Sequence, residues 1–198
     1  MKKLKTLIAL FLLLLMAFSV ASAQPESAVP SAGEAPNYFT LLDTVDIYGE
    51  PFDAGQFEGM PLIINIWADW CGPCLNEMPA LNILAEEYKG RALLVGLLAE
   101  GAEVTSEGTV AIVQEKMDGA RKVYESLGIT YPTLVPDDVL YSLMYQTELK
   151  AYPTTWFVNR EGYIIHMVEG SMSEDDWRAT IDAVLDYIDN PPEVTDAP

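Results

Sequence analysis

The chain has 198 residues, with 30 acidic side chains against 11 basic ones and a single histidine, for a formal net charge of −19. Such a charge repels nucleic-acid phosphates and anionic lipid headgroups, so neither is an expected partner. Half of the residues are apolar, enough to build one domain with a real core, and the acidity reads as the surface that keeps that domain soluble.

Taken in order, Lys2, Lys3 and Lys5 precede an apolar run over residues 7–18, and Ala21-Ser22-Ala23 offers a small-x-small cleavage site. Residues 1–23 are therefore expected to be a secretory signal peptide. The run is shorter than the roughly 20 residues that a spanning helix prefers, so cleavage is expected rather than a kept anchor. Membrane contact would then come only through this segment if it stayed uncleaved. No cysteine adjoins the site, which argues against lipoprotein anchoring. Cleavage removes three lysines and no acid, leaving 175 residues with a net charge of −22. The expected location is outside the cytoplasm, in a periplasm or on the outer face of the cytoplasmic membrane. Residues 24–36 are Ala, Ser, Pro, Glu and Gly with little to bury, which reads as a flexible linker.

The texture changes at Asn37. Residues 39–52 hold short apolar runs punctuated by Asp and Gly, predicting an N-terminal strand or hairpin extension. Residues 62–67, "LIINIW", are apolar and β-branched without alternation, as in a fully buried central strand. Leu75, Met78, Leu81, Leu84, Ala85 and Tyr88 then recur at helical spacing up to a stop at Gly90, with Pro79 inside the helix. Residues 91–99 predict a second buried strand, 101–108 a polar loop and 109–127 an amphipathic helix. A short strand ends at Pro136, and Asp137 or Asp138 caps a further helix reaching Met144 or Tyr145. Residues 154–170 read as a β-hairpin turning on Asn159-Arg160-Glu161-Gly162. Ser173 then caps a last helix that carries Trp177, Ile181, Val184, Leu185 and Ile188 on one face. Residues 191–198 form a Pro-rich acidic tail, expected to be disordered. Strands alternating with helices predict an α/β domain over residues 37–190, its sheet covered on both faces and closed by an antiparallel hairpin.

The only cysteines are Cys71 and Cys74, where the buried strand gives way to a helix. Unpaired N–H groups and the positive end of the helix dipole would face the Cys71 sulfur and favour its thiolate. Pro73 falls in the first turn, where a missing N–H costs nothing. Cys74, one turn in and more buried, would point back at Cys71. This lets Cys71 attack a disulfide and Cys74 then resolve the mixed disulfide. Trp67 and Trp70 are expected to form an apolar collar around an exposed sulfur. Other readings fit less well. A zinc site needs about four ligands, and no second cysteine pair exists. A structural staple closing so short a loop gains little. A copper carrier needs a histidine near the pair, and His166, in the last hairpin, reads as an ordinary strand residue. No metal site is expected, and no cofactor beyond the Cys71–Cys74 disulfide.

"WADWCGPC" after a buried strand, followed by "YPTTWFV" and an "NREG" hairpin, resembles the thioredoxin superfamily, and "NIWADWCGPCLNEMP" is similar to its exported TlpA/ResA-like branch. The resemblance covers residues 37–190. It implies a three-layer sandwich with a central mixed sheet, helices on both faces and a helix–strand insertion between Ala99 and Tyr152. It also implies that Pro153 is the family's cis-proline beside the disulfide, leaving the Tyr152 backbone free to pair with a substrate strand. "YPT" occurs twice, at 131–133 and 152–154, and the second is preferred because the strand and hairpin follow it directly. Trp70, Gly72 and Pro73 complete the implied substrate face. Asn65 stands where cytoplasmic thioredoxin has a buried acid. Glu77 matches an acidic position of the TlpA/ResA-like pattern and is expected to tune or relay protons for the dithiol, its partial burial raising its pKa.

The expected function is exported thiol–disulfide exchange with protein thiols or disulfides. Gly72-Pro73 resembles reducing members, so the chain is expected to be a monomeric reductant fed by a membrane thiol donor. It would act in cytochrome c maturation or as electron donor to a dedicated reductase. The alternative is a non-catalytic module of the same fold for partner docking or copper handling.

Overall fold

The computed structural model describes residues 37–192. The expected signal peptide, the linker and the last residues of the tail lie outside them. A five-stranded mixed sheet in the order β5-β2-β1-β6-β7 forms the centre. It comprises β1 (Leu62–Trp67), β2 (Leu93–Leu98), β5 (Thr133–Leu134), β6 (Thr154–Val158) and β7 (Ile164–Glu169). β2 pairs parallel with both β1 and β5, whereas β6 runs antiparallel to β1 and to β7. β1 is buried along its whole length, as its unbroken apolar run predicts.

Alternation along β1 divides the core. Ile63 and Trp67 point to one face, packing with Met78, Leu81 and Leu84 of α1 (Gly72–Glu87) and with Trp177, Ile181 and Leu185 of α4 (Glu174–Asp189). Ala120 and Tyr124 of α2 (Gln114–Leu127) join them there. Leu62, Ile64 and Ile66 point to the other face and pack with Phe39, Phe57 and Leu140, the last from α3 (Asp138–Gln146). Helices thus cover both faces of the sheet, giving the expected three layers. Among the described residues no helix is long and apolar enough to cross a membrane.

The N-terminal extension takes the hairpin alternative in short form: a 3-10 turn (Tyr38–Leu41) is followed by a hairpin-shaped turn with single bridges, Val45 to Pro51 and Asp46 to Leu134, and no longer strand. The Asp46 carboxylate takes the Tyr48 and Glu50 amides at 2.8 and 3.0 Å, and Pro51 has no N–H, so few donors remain for a ladder. The polar loop is instead a small hairpin of β3 (Ala102–Val104) and β4 (Val110–Ile112). Its turn closes through the Thr105 and Thr109 hydroxyls at 2.9 Å, with Gly108 at φ +80°. α2 accordingly starts at Gln114 rather than at 109.

β2 and β5 meet closely because Gly96 has no side chain. A Cβ there would lie 2.0 Å from Thr133 Oγ1 and 3.0 Å from Trp67 Nε1. Gly96→Ala is expected to destabilise the fold by about 1–3 kcal/mol through overpacking, read as a lowered midpoint in denaturant.

Candidate active site

β1 delivers the chain into the turn Ala68-Asp69-Trp70, and α1 begins immediately afterwards. Cys71 is the N-cap of α1, with extended backbone, and its Sγ accepts the Cys74 amide at 3.2 Å. Pro73 stands in the first turn, as the sequence requires. Cys71 and Cys74 form a disulfide. Cys74 is fully buried, while Cys71 retains 4 % exposure, so its sulfur is less open than expected. Gly72 and Pro73 between them are exposed.

The expected collar is redistributed. Trp67 lies inside the core, stacked on Tyr124 with ring centroids 5.7 Å apart and its indole N–H directed at Thr133 Oγ1. Strand alternation turns its side chain inward. Trp70, 61 % exposed, meets Tyr152 edge-on with centroids 6.0 Å apart. Tyr152 packs against the core cluster that contains both cysteines, and the Tyr152–Pro153 bond is cis. Pro153 is buried.

Glu77, one turn beyond Cys74, is 2 % exposed, more deeply buried than the partial burial expected of it. Its Oε1 accepts from Asn65 Nδ2 at 2.9 Å, and its Oε2 accepts from Trp177 Nε1 at 3.0 Å and from the Met172 amide at 3.3 Å. Burial pushes the carboxyl above its ordinary range, and the bonds from Trp177, Asn65 and Met172 partly restore it. Asn65 also donates to Thr155 Oγ1 at 3.0 Å, which leaves its own buried Oδ1 without a partner. Sequence reasoning placed Glu77 and Asn65 at the site but missed Trp177 and Met172. Those lie about a hundred residues away and carry no local signal.

Three more side chains escaped the sequence. Lys116 of α2 pairs with Glu100, just after β2, and its Nζ lies 3.8 Å from Asp69 Oδ1. Beside this group opens a cavity of about 860 Å³ lined by Glu100, Glu103, Lys116, Tyr141, Met144 and Tyr152 among others. His166 is remote in character, an exposed residue of edge strand β7 with its ring on Phe157 at 5.7 Å. Among the described residues no three His, Cys, Asp or Glu side chains cluster as metal ligands do.

A model of the AhpC/TSA family matches residues 32–167. The thiol-disulfide oxidoreductase ResA of Bacillus subtilis is 25% identical over 172 residues, covering 86% of each chain. A thioredoxin-family thiol:disulfide interchange protein from Chlorobium tepidum superposes with a TM-score of 0.57 at 21% identity, over 71% of this chain and 90% of its own. A secreted disulfide oxidoreductase of Mycobacterium tuberculosis superposes with a TM-score of 0.56 at 19% identity, over 74% and 98%.

Proposed function

Since the chain belongs to the AhpC/TSA family and has a thioredoxin-like fold, we propose that it is a thiol–disulfide oxidoreductase acting outside the cytoplasm, with Cys71 as nucleophile and Cys74 as resolving thiol. The observation that carries this reading is the disulfide seated on a helix N-terminus, with the Cys71 sulfur accepting the Cys74 amide. That hydrogen bond and the helix dipole favour a thiolate at Cys71 by about 1 kcal/mol.

In the reducing direction, the Cys71 thiolate attacks one sulfur of a partner disulfide, breaking that bond and expelling the other partner sulfur as a thiolate. The Cys74 thiolate then attacks Cys71 Sγ, releasing the second partner thiolate and forming the Cys71–Cys74 disulfide. Two electrons pass to the partner, and its two thiolates take up the two protons that the dithiol gives up. Glu77 is suited to hold the Cys74 proton in transit, because a carboxyl raised by burial is a better match to a thiol. Trp70, Gly72 and Pro73 present a flat face beside Cys71, and the Tyr152 backbone offers a strand-like pairing edge to the partner. No external cofactor takes part. A thiol donor at the membrane restores the dithiol, and the chain works as a monomer. Gly72-Pro73 favours the reducing role, with cytochrome c maturation or a dedicated reductase as recipient. Export rests on the signal-like residues 1–23.

The test is reduction of insulin disulfides by the dithiol form. Turnover is expected in the presence of a thiol donor. Absence of turnover together with stoichiometric retention of Cu(I) would overturn the reading in favour of a copper-binding module. For location, the mature N-terminus from the envelope fraction is expected to begin after Ala23.

A further inference from the structure

α2 departs from helix rules twice, at neighbouring positions. Lys116 lies in its first turn, where the helix dipole disfavours a cation. Gly119 lies in its interior, where glycine is less favourable than alanine. Both departures face the same side chain. A Cβ at Gly119 would stand 2.2 Å from Asp69 Oδ2, and Lys116 Nζ is 3.8 Å from Asp69 Oδ1. Asp69 is two residues before Cys71, and the inserted helix has given up local stability to seat its carboxylate. Lys116 also pairs with Glu100. Lys116 chiefly holds the Glu100 carboxyl below its usual range, with the Trp70 indole donating as well and partial burial acting the other way.

We propose that Lys116 is a positioning and charge-balancing residue of the redox site. It clamps the Asp69-Trp70 turn to α2 and offsets the two carboxylates beside the turn that leads into Cys71. The inference rests on the thiol–disulfide reading for its purpose, although its chemistry can be tested apart from it. The titratable and charged groups on the turn before Cys71 and on the elements packed with it are Asp69 on that turn, Glu77 and Tyr88 of α1 and its end, Glu100 after β2, Lys116 and Tyr124 on α2, Tyr131 before β5 and Tyr152 before β6. Lys116 is the one cation in that set. Without it the uncompensated carboxylates disfavour a thiolate at Cys71 and leave Trp70 less firmly held.

The experiment is the pH profile of iodoacetamide alkylation of the fully reduced protein, with the Cys71 adduct identified by mass. For Lys116→Met the midpoint is expected to rise by about half a pH unit, which slows alkylation at neutral pH roughly three-fold. Lys116→Arg is expected to stay near the parent. Asp69→Asn is expected to lower the midpoint, and the double variant to return towards the parent value. Unmoved midpoints in both single variants, in folded protein, would overturn the proposal and reduce Lys116 to a surface ion pair. Failure of the parent to reduce insulin would overturn the functional reading while leaving these midpoints interpretable. Variants that alter insulin turnover but not the alkylation midpoint would also count against it.

Discussion

Cys74→Ser is expected to accumulate a stable mixed disulfide between Cys71 and its partner, while Cys71→Ser accumulates none. The reason is the division of labour in the site. Cys71 caps the helix and keeps the only residual exposure of the pair, so an incoming disulfide reaches its sulfur first. Resolution needs a second thiolate from below, and a serine hydroxyl at position 74 cannot supply one near neutral pH. Both variants should lose insulin reduction by on the order of a thousand-fold or more, because each removes a whole step. The measurement is non-reducing electrophoresis of envelope extracts followed by mass analysis of the trapped adducts. Adducts on Cys71→Ser in place of Cys74→Ser would reverse the assigned roles. The adducts also identify the recipient and separate a cytochrome partner from a reductase.

Glu77 should divide cleanly between two substitutions. Glu77→Ala removes the acceptor for three donors, Asn65 Nδ2, Trp177 Nε1 and the Met172 amide. With those donors buried and unpaired, stability should fall by about 3 kcal/mol or more. Glu77→Gln keeps the shape. Its carbonyl can still accept from Trp177 and Met172, and its amide then faces Asn65. Rotating the Asn65 amide by 180° brings Oδ1 round to accept that N–H, but it also breaks the bond from Asn65 Nδ2 to Thr155 Oγ1 and moves the amide N–H groups to the buried position where Oδ1 found no partner. A protonated Glu77 asks for the same rotation, so the protonation state of Glu77 is coupled to the orientation of the Asn65 amide.

The sign of the pH dependence follows. Burial raises the folded-state carboxyl above its ordinary value. Glu77 therefore contributes most to stability below its unfolded value, and that contribution is lost as pH rises through the raised folded value, at about 1.4 kcal/mol per unit of elevation. Glu77→Gln should gain stability relative to the parent over that window. It should also slow exchange most where the parent carboxyl is ionised and able to take up the Cys74 proton. Denaturation midpoints and exchange rates from pH 4 to 8, measured on both proteins, decide the matter. A stability difference that does not change with pH would end the proton role.

Much of the site could be read from local pattern. The unbroken run of β1 announced a central strand, the Cys-Gly-Pro-Cys turn announced a helix N-terminus, and Glu77 followed from the resemblance to the TlpA/ResA-like pattern. Strand–helix alternation announced a sheet covered on both faces with a closing hairpin, whereas the strand order β5-β2-β1-β6-β7 came only with the structure. The departures have local causes too. In residues 39–52 the Asp46 carboxylate takes amides that a strand would need, and a five-residue polar turn concealed the β3–β4 hairpin because β-branched Val110 and Ile112 were counted into the helix that follows.

What the sequence determined by itself is the redox pair, because both cysteines of the disulfide and the helix N-terminus that carries them lie within four consecutive residues and need only local geometry. What only the tertiary structure decided is the environment of that pair. Trp177 and Met172 reach Glu77 from α4 and the segment before it, and Lys116 and Gly119 reach Asp69 from α2. Burial and charge at a point are sums over every element packed around it, and those elements meet only when the sheet has formed.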